Sequence, residues 1–202
     1  MVYFRLLLAP LLALVLSLPL MAKEIPIGEI SDFLNNLKTA KGSFTQINPD
    51  GTISTGRIFI HRPGRVRFEY DPPDPALVIA GGRKVAIFDG KSNEPPQQFP
   101  LRRTPLSVIL ARNVDLSRAD MITNTRSDDV STTITAQDPE HPEIGSIELV
   151  FTANPVELRQ WLITDEAGSQ TTVILNNMEF GIDLKSSLFS IPIEMQKLKV
   201  SP

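Results

Sequence analysis

Few residues of this sequence could do covalent or metal chemistry. Its two histidines, His61 and His141, stand 80 residues apart. Neither lies in a spacing such as H-x-x-x-H that would bring two imidazoles to one metal ion. There is no cysteine, which removes a thiolate nucleophile, a zinc–sulfur site, a disulfide framework and a lipid-modified N-terminal Cys together. Serines are plentiful, but none sits in the G-x-S-x-G turn that exposes a nucleophile. The acidic pairs Asp128-Asp129 and Asp165-Glu166 adjoin turn signals, where carboxylates are usually solvated. Gly81-Gly82 runs into Arg83-Lys84 and a strand pattern, which suits a hairpin and not a phosphate-binding helix start. No catalytic residue, metal site or cofactor is expected.

The residue that calls for explanation is an arginine. In the run IFIHRPGRVRFEYDPPDP at 58–75, alternation puts Ile58, Ile60 and Arg62 on one face of a strand and Phe59 and His61 on the other. After a Pro63-Gly64 turn, Val66, Phe68 and Tyr70 oppose Arg65, Arg67 and Glu69. Val85 and Ile87 continue the apolar set, as do Ile147, Leu149 and Phe151. Such a face either packs on helices, as in any two-layer protein, or lines a cavity. Arg62 stands at the end of that face. It either reaches solvent past Pro63 or is buried, and a buried guanidinium requires acceptors. Carbonyls at the end of a short helix are natural ones, each such bond contributing roughly 1.5–3 kcal/mol.

The elements that must position these residues follow from periodicity. Ile30, Phe33, Leu34 and Leu37 predict a helix over 26–41, with Gly42 to stop it. Period-two runs predict strands at 43–48, 55–62, 65–70, 77–80, 84–88, 130–136, 145–151, 157–164 and 171–178, separated by Gly, Pro and Asp turns. Between the two groups lies a proline-rich loop at 95–104. A short apolar helix follows at 105–112, with Thr104 as cap, carrying Leu106, Val108, Ile109 and Leu110. A polar loop containing Asp115 and Asp120 precedes the second group. Pro192 marks 188–195 as an edge segment at most. The expected architecture is mainly β: an incomplete antiparallel barrel of about 9–11 strands, covered by a lid of short helices.

Residues 1–22 read as a cleaved secretory leader: Arg5 in a short basic start, the uncharged run LLLAPLLALVLSLPL, then Ala22 before Lys23. The run is broken by Pro10 and Pro19 and is short of the ~20 residues that span a bilayer. Residues 23–202 then form one domain in the periplasm. The whole chain carries 20 basic and 23 acidic residues, and loss of Arg5 with the leader leaves a net charge of −4. That balance argues against nucleic acid and against electrostatic docking on anionic lipid. A monomer is expected.

The run GRIFIHRPGRVRFEY at 56–70, Pro73, Gly82 with Val85, Phe88-Asp89 and TPLSVILA at 104–111 together resemble the LolA family of periplasmic lipoprotein carriers. The resemblance implies an apolar cavity for acyl chains under a helical lid. It implies that Arg62 holds the lid shut through hydrogen bonds to lid backbone, and that Leu106, Ile109 and Leu110 lie on the lid. The cavity would be lined by Ile58, Ile60, Val66, Phe68, Tyr70, Val85, Ile87 and Leu149. Implied partners are lipoproteins, an inner-membrane lipoprotein-releasing ABC transporter and the outer-membrane receptor LolB. The competing reading is a module of the same fold that binds another lipid or a glycolipid.

Overall fold

The computed structural model describes residues 24–92, 94–118 and 121–200. The leader expected at 1–22 lies outside them.

One open antiparallel sheet of eleven strands forms the body. The first meander contains β1 (Thr39–Ile47), β2 (Ile53–His61), β3 (Val66–Tyr70), β4 (Ala76–Gly81), β5 (Lys84–Asp89) and β6 (Gln97–Pro100). The second contains β7 (Ile122–Ser127), β8 (Ser131–Gln137), β9 (Ser146–Thr152), β10 (Glu157–Thr164) and β11 (Gln170–Phe180). The first and last strands pair, so the order is β6-β5-β4-β3-β2-β1-β11-β10-β9-β8-β7. The sheet is the open, mainly β architecture that the turn spacing predicts.

Helix α1 (Ile27–Asn36) precedes the sheet, and the short α2 (Leu106–Leu110) sits between its halves. The curled sheet and these two helices enclose a single apolar cluster. Ile30 and Leu34 come from α1, Val108, Ile109 and Leu110 from α2, and inward side chains from both meanders fill the rest. Polar side chains tie α1 to the chain beyond α2. Asn35 donates to the Val114 carbonyl (2.8 Å) and accepts from its amide (2.9 Å), and Ser31 Oγ accepts from the Leu116 amide.

Several local expectations are corrected. Helix α1 ends at Asn36, and the chain turns through Leu37 into β1 at Thr39. Gly42 therefore lies inside a strand. A Cβ there would stand 2.7 Å from the Asn176 carbonyl oxygen and collide with Met178 Sδ, so this glycine permits the close crossing of β1 and β11 at a bulge. The 95–104 loop contains β6, and the polar segment after α2 contains β7. Both are edge strands, paired on one side only and largely exposed, so neither carries the apolar alternation by which strands are read. Thr104 does not cap α2 with its side chain; its hydroxyl donates to the Leu101 carbonyl at 2.8 Å.

The tail is helical as well. After a turn of 3₁₀-helix at Ser186–Phe189, α3 spans Ile191–Val200, and Pro192 sits in its first turn, where the missing N–H costs nothing. This segment packs on the outer face of β3–β5, over Leu77, Ile79, Ala86 and Phe88. Arg67, which alternation assigns to a polar outer face, is thereby buried.

Candidate functional site

Arg62 stands at the end of β2, one residue past the strand, where alternation carries it onto the inner face. It is 6% exposed. Its main-chain amide donates to the Lys38 carbonyl at 2.8 Å, which joins the β2–β3 turn to the segment leaving α1. Its guanidinium Nη2 donates to the Ala111 carbonyl at 2.6 Å. Ala111 is the residue on which α2 ends, so this bond satisfies one of the carbonyls that a helix C-terminus leaves without a partner. A second bond comes from the same turn: the Gly64 amide donates to the Leu110 carbonyl at 2.9 Å. Gly64 has a φ of +73°, a backbone geometry that glycine adopts without penalty. Two hydrogen bonds thus tie the β2–β3 turn to the end of α2, one from the guanidinium and one from backbone.

No carboxylate lies within ion-pair distance of Arg62 among the described residues. Burial pushes its pKa below the usual guanidinium value, yet an arginine stays charged in proteins. A cation is therefore held against an apolar interior by a single carbonyl acceptor.

Beneath α2 the side chains of Leu34, Leu37, Ile60, Val66, Leu106, Ile109, Leu110, Leu158 and Trp161 close around Arg62. The void they leave measures about 10 Å³, room for no more than about one water. Trp161, the only tryptophan of the chain, is 1% exposed and meets Phe68 edge to face at 6.3 Å. Phe68 in turn meets Phe44 at 5.3 Å, and Phe44 meets Tyr70 at 5.0 Å. The Tyr70 phenol donates to Gln46 Oε1 at 2.7 Å, and its pKa is pushed up to about 12 by burial. Beside the first turn of α2 a groove of about 440 Å³ opens to the surface, between Phe99, Arg103 and Leu106 on one side and Ile163, Asp165 and Glu166 on the other.

Of the residues singled out in the sequence, Ile58, Ile60, Val66, Phe68, Val85, Ile109, Leu110 and Leu149 fall in one buried cluster, with Tyr70 and Leu106 packed against it. Ile87 does not join them. It shares their face, opposite Val78, but lies next to the edge strand and is 39% exposed. Sequence reasoning missed Phe44, Leu158 and Trp161. Phe44 could have been found by alternation along β1. Leu158 and Trp161 could not, because they are three residues apart and only a bulge between Leu158 and Gln160 brings both to the inner face.

A half-open barrel, its apolar interior covered by two helices and tied shut at one helix end, is thus the class of structure. Residues 35–192 match the family described as "Outer membrane lipoprotein carrier protein LolA", and the chain belongs to the LolA family. An outer-membrane lipoprotein carrier protein of Coxiella burnetii is 31% identical over 112 residues, 52% of this chain and 53% of that one. The chain thus spans about half the length of the first curated relatives it matches. The carrier protein of Chromohalobacter salexigens is 24% identical over 190 residues, 88% of this chain and 89% of its own. Among solved structures, a LolA-superfamily protein from Nitrosomonas europaea covers 82% of this chain with a TM-score of 0.41 and 8% identity. A likeness so loose carries no argument about the site. Among the described residues, no helix is long and apolar enough to cross a membrane.

Proposed function

We propose that this chain is a periplasmic carrier that shields the acyl chains of lipoproteins in its apolar interior. It takes them from an inner-membrane lipoprotein-releasing ABC transporter and delivers them to the outer membrane, to a LolB-type receptor where one is present. The observation that carries this reading is an apolar interior closed at one helix end by only two hydrogen bonds, both from the Arg62–Gly64 turn. The family membership and the names of the relatives support it.

The energetics agree. Transfer of an acyl chain out of water is worth ~0.8 kcal/mol per methylene, so a three-chain anchor carries roughly 30 kcal/mol of hydrophobic driving force. It does not cross water unaided. The closed void of about 10 Å³ holds no chain, so α2 must move before cargo enters. Each hydrogen bond that holds it contributes roughly 0.5–3 kcal/mol net, the higher figure for the charged donor. Burial of Val108, Ile109 and Leu110 adds to this, but entering acyl chains replace those contacts like for like. Arg62 is the residue assigned to hold the lid, and the buried inward residues named above line the space that opens.

A solvent-sensitive apolar dye bound to residues 23–202 tests the reading. A triacylated lipopeptide should displace it, and the same peptide without acyl chains should not. Displacement by free fatty acid or glycolipid with none by the lipopeptide would point instead to a binding module for another lipid.

A further inference from the structure

Two donors inside the closed interior have no acceptor among the described residues: Arg62 Nε and Trp161 Nε1. Both side chains line the same small void beneath α2, whose other walls are aliphatic. A buried donor left unmade costs free energy, more so when it is charged, and native structures carry few of them. The third unpartnered buried nitrogen, His61 Nδ1, belongs to a ring that faces Phe189 under the tail on the outer face, so it does not share this explanation.

The cost grows when the lid opens. Movement of α2 takes the Ala111 carbonyl away from Arg62 Nη2, and acyl chains then surround a guanidinium that has lost its only side-chain acceptor. A cation in that position needs oxygen atoms. An acylated ligand carries them at one place, the ester or amide carbonyls that join its chains to the rest of the molecule.

We propose that Arg62 and Trp161 form a carbonyl-binding point, which takes the ester or amide carbonyl oxygens at the head of the acyl chains; this rests on the carrier reading above. Ligand carbonyl replaces the Ala111 carbonyl on the guanidinium, and Trp161 Nε1 donates to the same head group. Loading and lid release are then a single exchange of acceptors. The site selects chains that end in a carbonyl over equally apolar chains that do not.

Two lipopeptides of equal chain length test this, one with ester-linked chains and one with ether-linked chains, which lack the carbonyl oxygen. Against a bound apolar dye, the wild-type protein should favour the ester form by about tenfold, the scale of one good hydrogen bond from a charged donor. Trp161→Phe keeps an aromatic ring beside Phe68 and removes the N–H. It should narrow the ester-over-ether preference several-fold. Should that variant not fold, Arg62→Lys, which removes Nε and keeps the charge, should narrow it likewise. Equal displacement by both lipopeptides would overturn the carbonyl site and leave the carrier reading standing, as would an ester preference untouched by the substitution. If neither displaces the dye, the carrier reading falls and this inference with it.

Discussion

Arg62 and Arg67 lie five residues apart on either side of one turn, both are buried, and they are held in opposite ways. Arg67 points to the outer face and has three acceptors, two of them carboxylates. Its Nε meets Glu69 Oε1 at 2.7 Å, and its Nη1 meets Glu194 Oε1 at 3.0 Å and the Leu188 carbonyl at 2.9 Å. Arg62 points inward, has one side-chain acceptor, no carboxylate, and a donor left unmade. A buried cation with two carboxylates is costly to undo, because removal of either side strands a charge. A buried cation on a single carbonyl can exchange that one acceptor for another oxygen when the carbonyl moves. The outer arginine clamps the tail; under the carrier reading proposed above, the inner one latches a part that opens.

The largest expected effect breaks the clamp. Arg67→Ala leaves Glu194 buried with Lys197 as its remaining partner, and should lower unfolding free energy by about 3 kcal/mol in denaturant titrations. A loss below about 1 kcal/mol would show that the outer ion pairs do not hold the tail.

A smaller effect comes from pH. Burial pushes the Glu194 carboxyl up, but the hydrogen bond from Lys197 and the charge of Arg67 outweigh it and leave the group below its ordinary value of 4.5. A carboxyl depressed by folding stabilises the protein above that ordinary value, and the contribution disappears as pH falls through the lower folded-state value. Wild-type protein should therefore exceed Glu194→Gln in stability at pH 6, and the gap should close towards pH 3. A gap independent of pH would place the effect in packing and not in charge.

The smallest effect on stability belongs to the latch. Arg62→Leu replaces an under-satisfied cation with an apolar side chain in an apolar surround, and should change unfolding free energy by less than about 1 kcal/mol. The rate of apolar dye entry should change markedly, and the fluorescence of Trp161 with it. Loss of several kcal/mol with unaltered dye entry would make Arg62 a second clamp and erase the contrast.

The contrast was half legible in the sequence. Alternation along Ile58, Ile60 and Arg62 placed the inner arginine, and the apolar helix at 105–112 offered its acceptor. The same alternation put Arg67 on a polar outer face, because nothing local announced that residues 186–197 return to cover it. Pro192, which argues against a central strand, stands in the first turn of a helix. Edge strands β6 and β7 show no alternation in the sequence, since backbone pairing to one neighbour leaves no trace in side-chain pattern.

Strand faces, the division of the sheet by an apolar helix, the absence of thiols and the likeness to lipoprotein carriers were determined by the sequence itself. These depend on period-two geometry, composition and short motifs, all of which act within a few residues. Tertiary structure alone decided that Arg62 is under-satisfied while Arg67 meets two carboxylates and a carbonyl, and that a bulge turns Leu158 and Trp161 inward together. It also decided that the interior is closed to about 10 Å³. The arginine contrast rests on groups that meet across 49 and 127 residues of chain, and the bulge on the pairing of β10 with β9; burial and pairing of this kind arise only from the assembled fold.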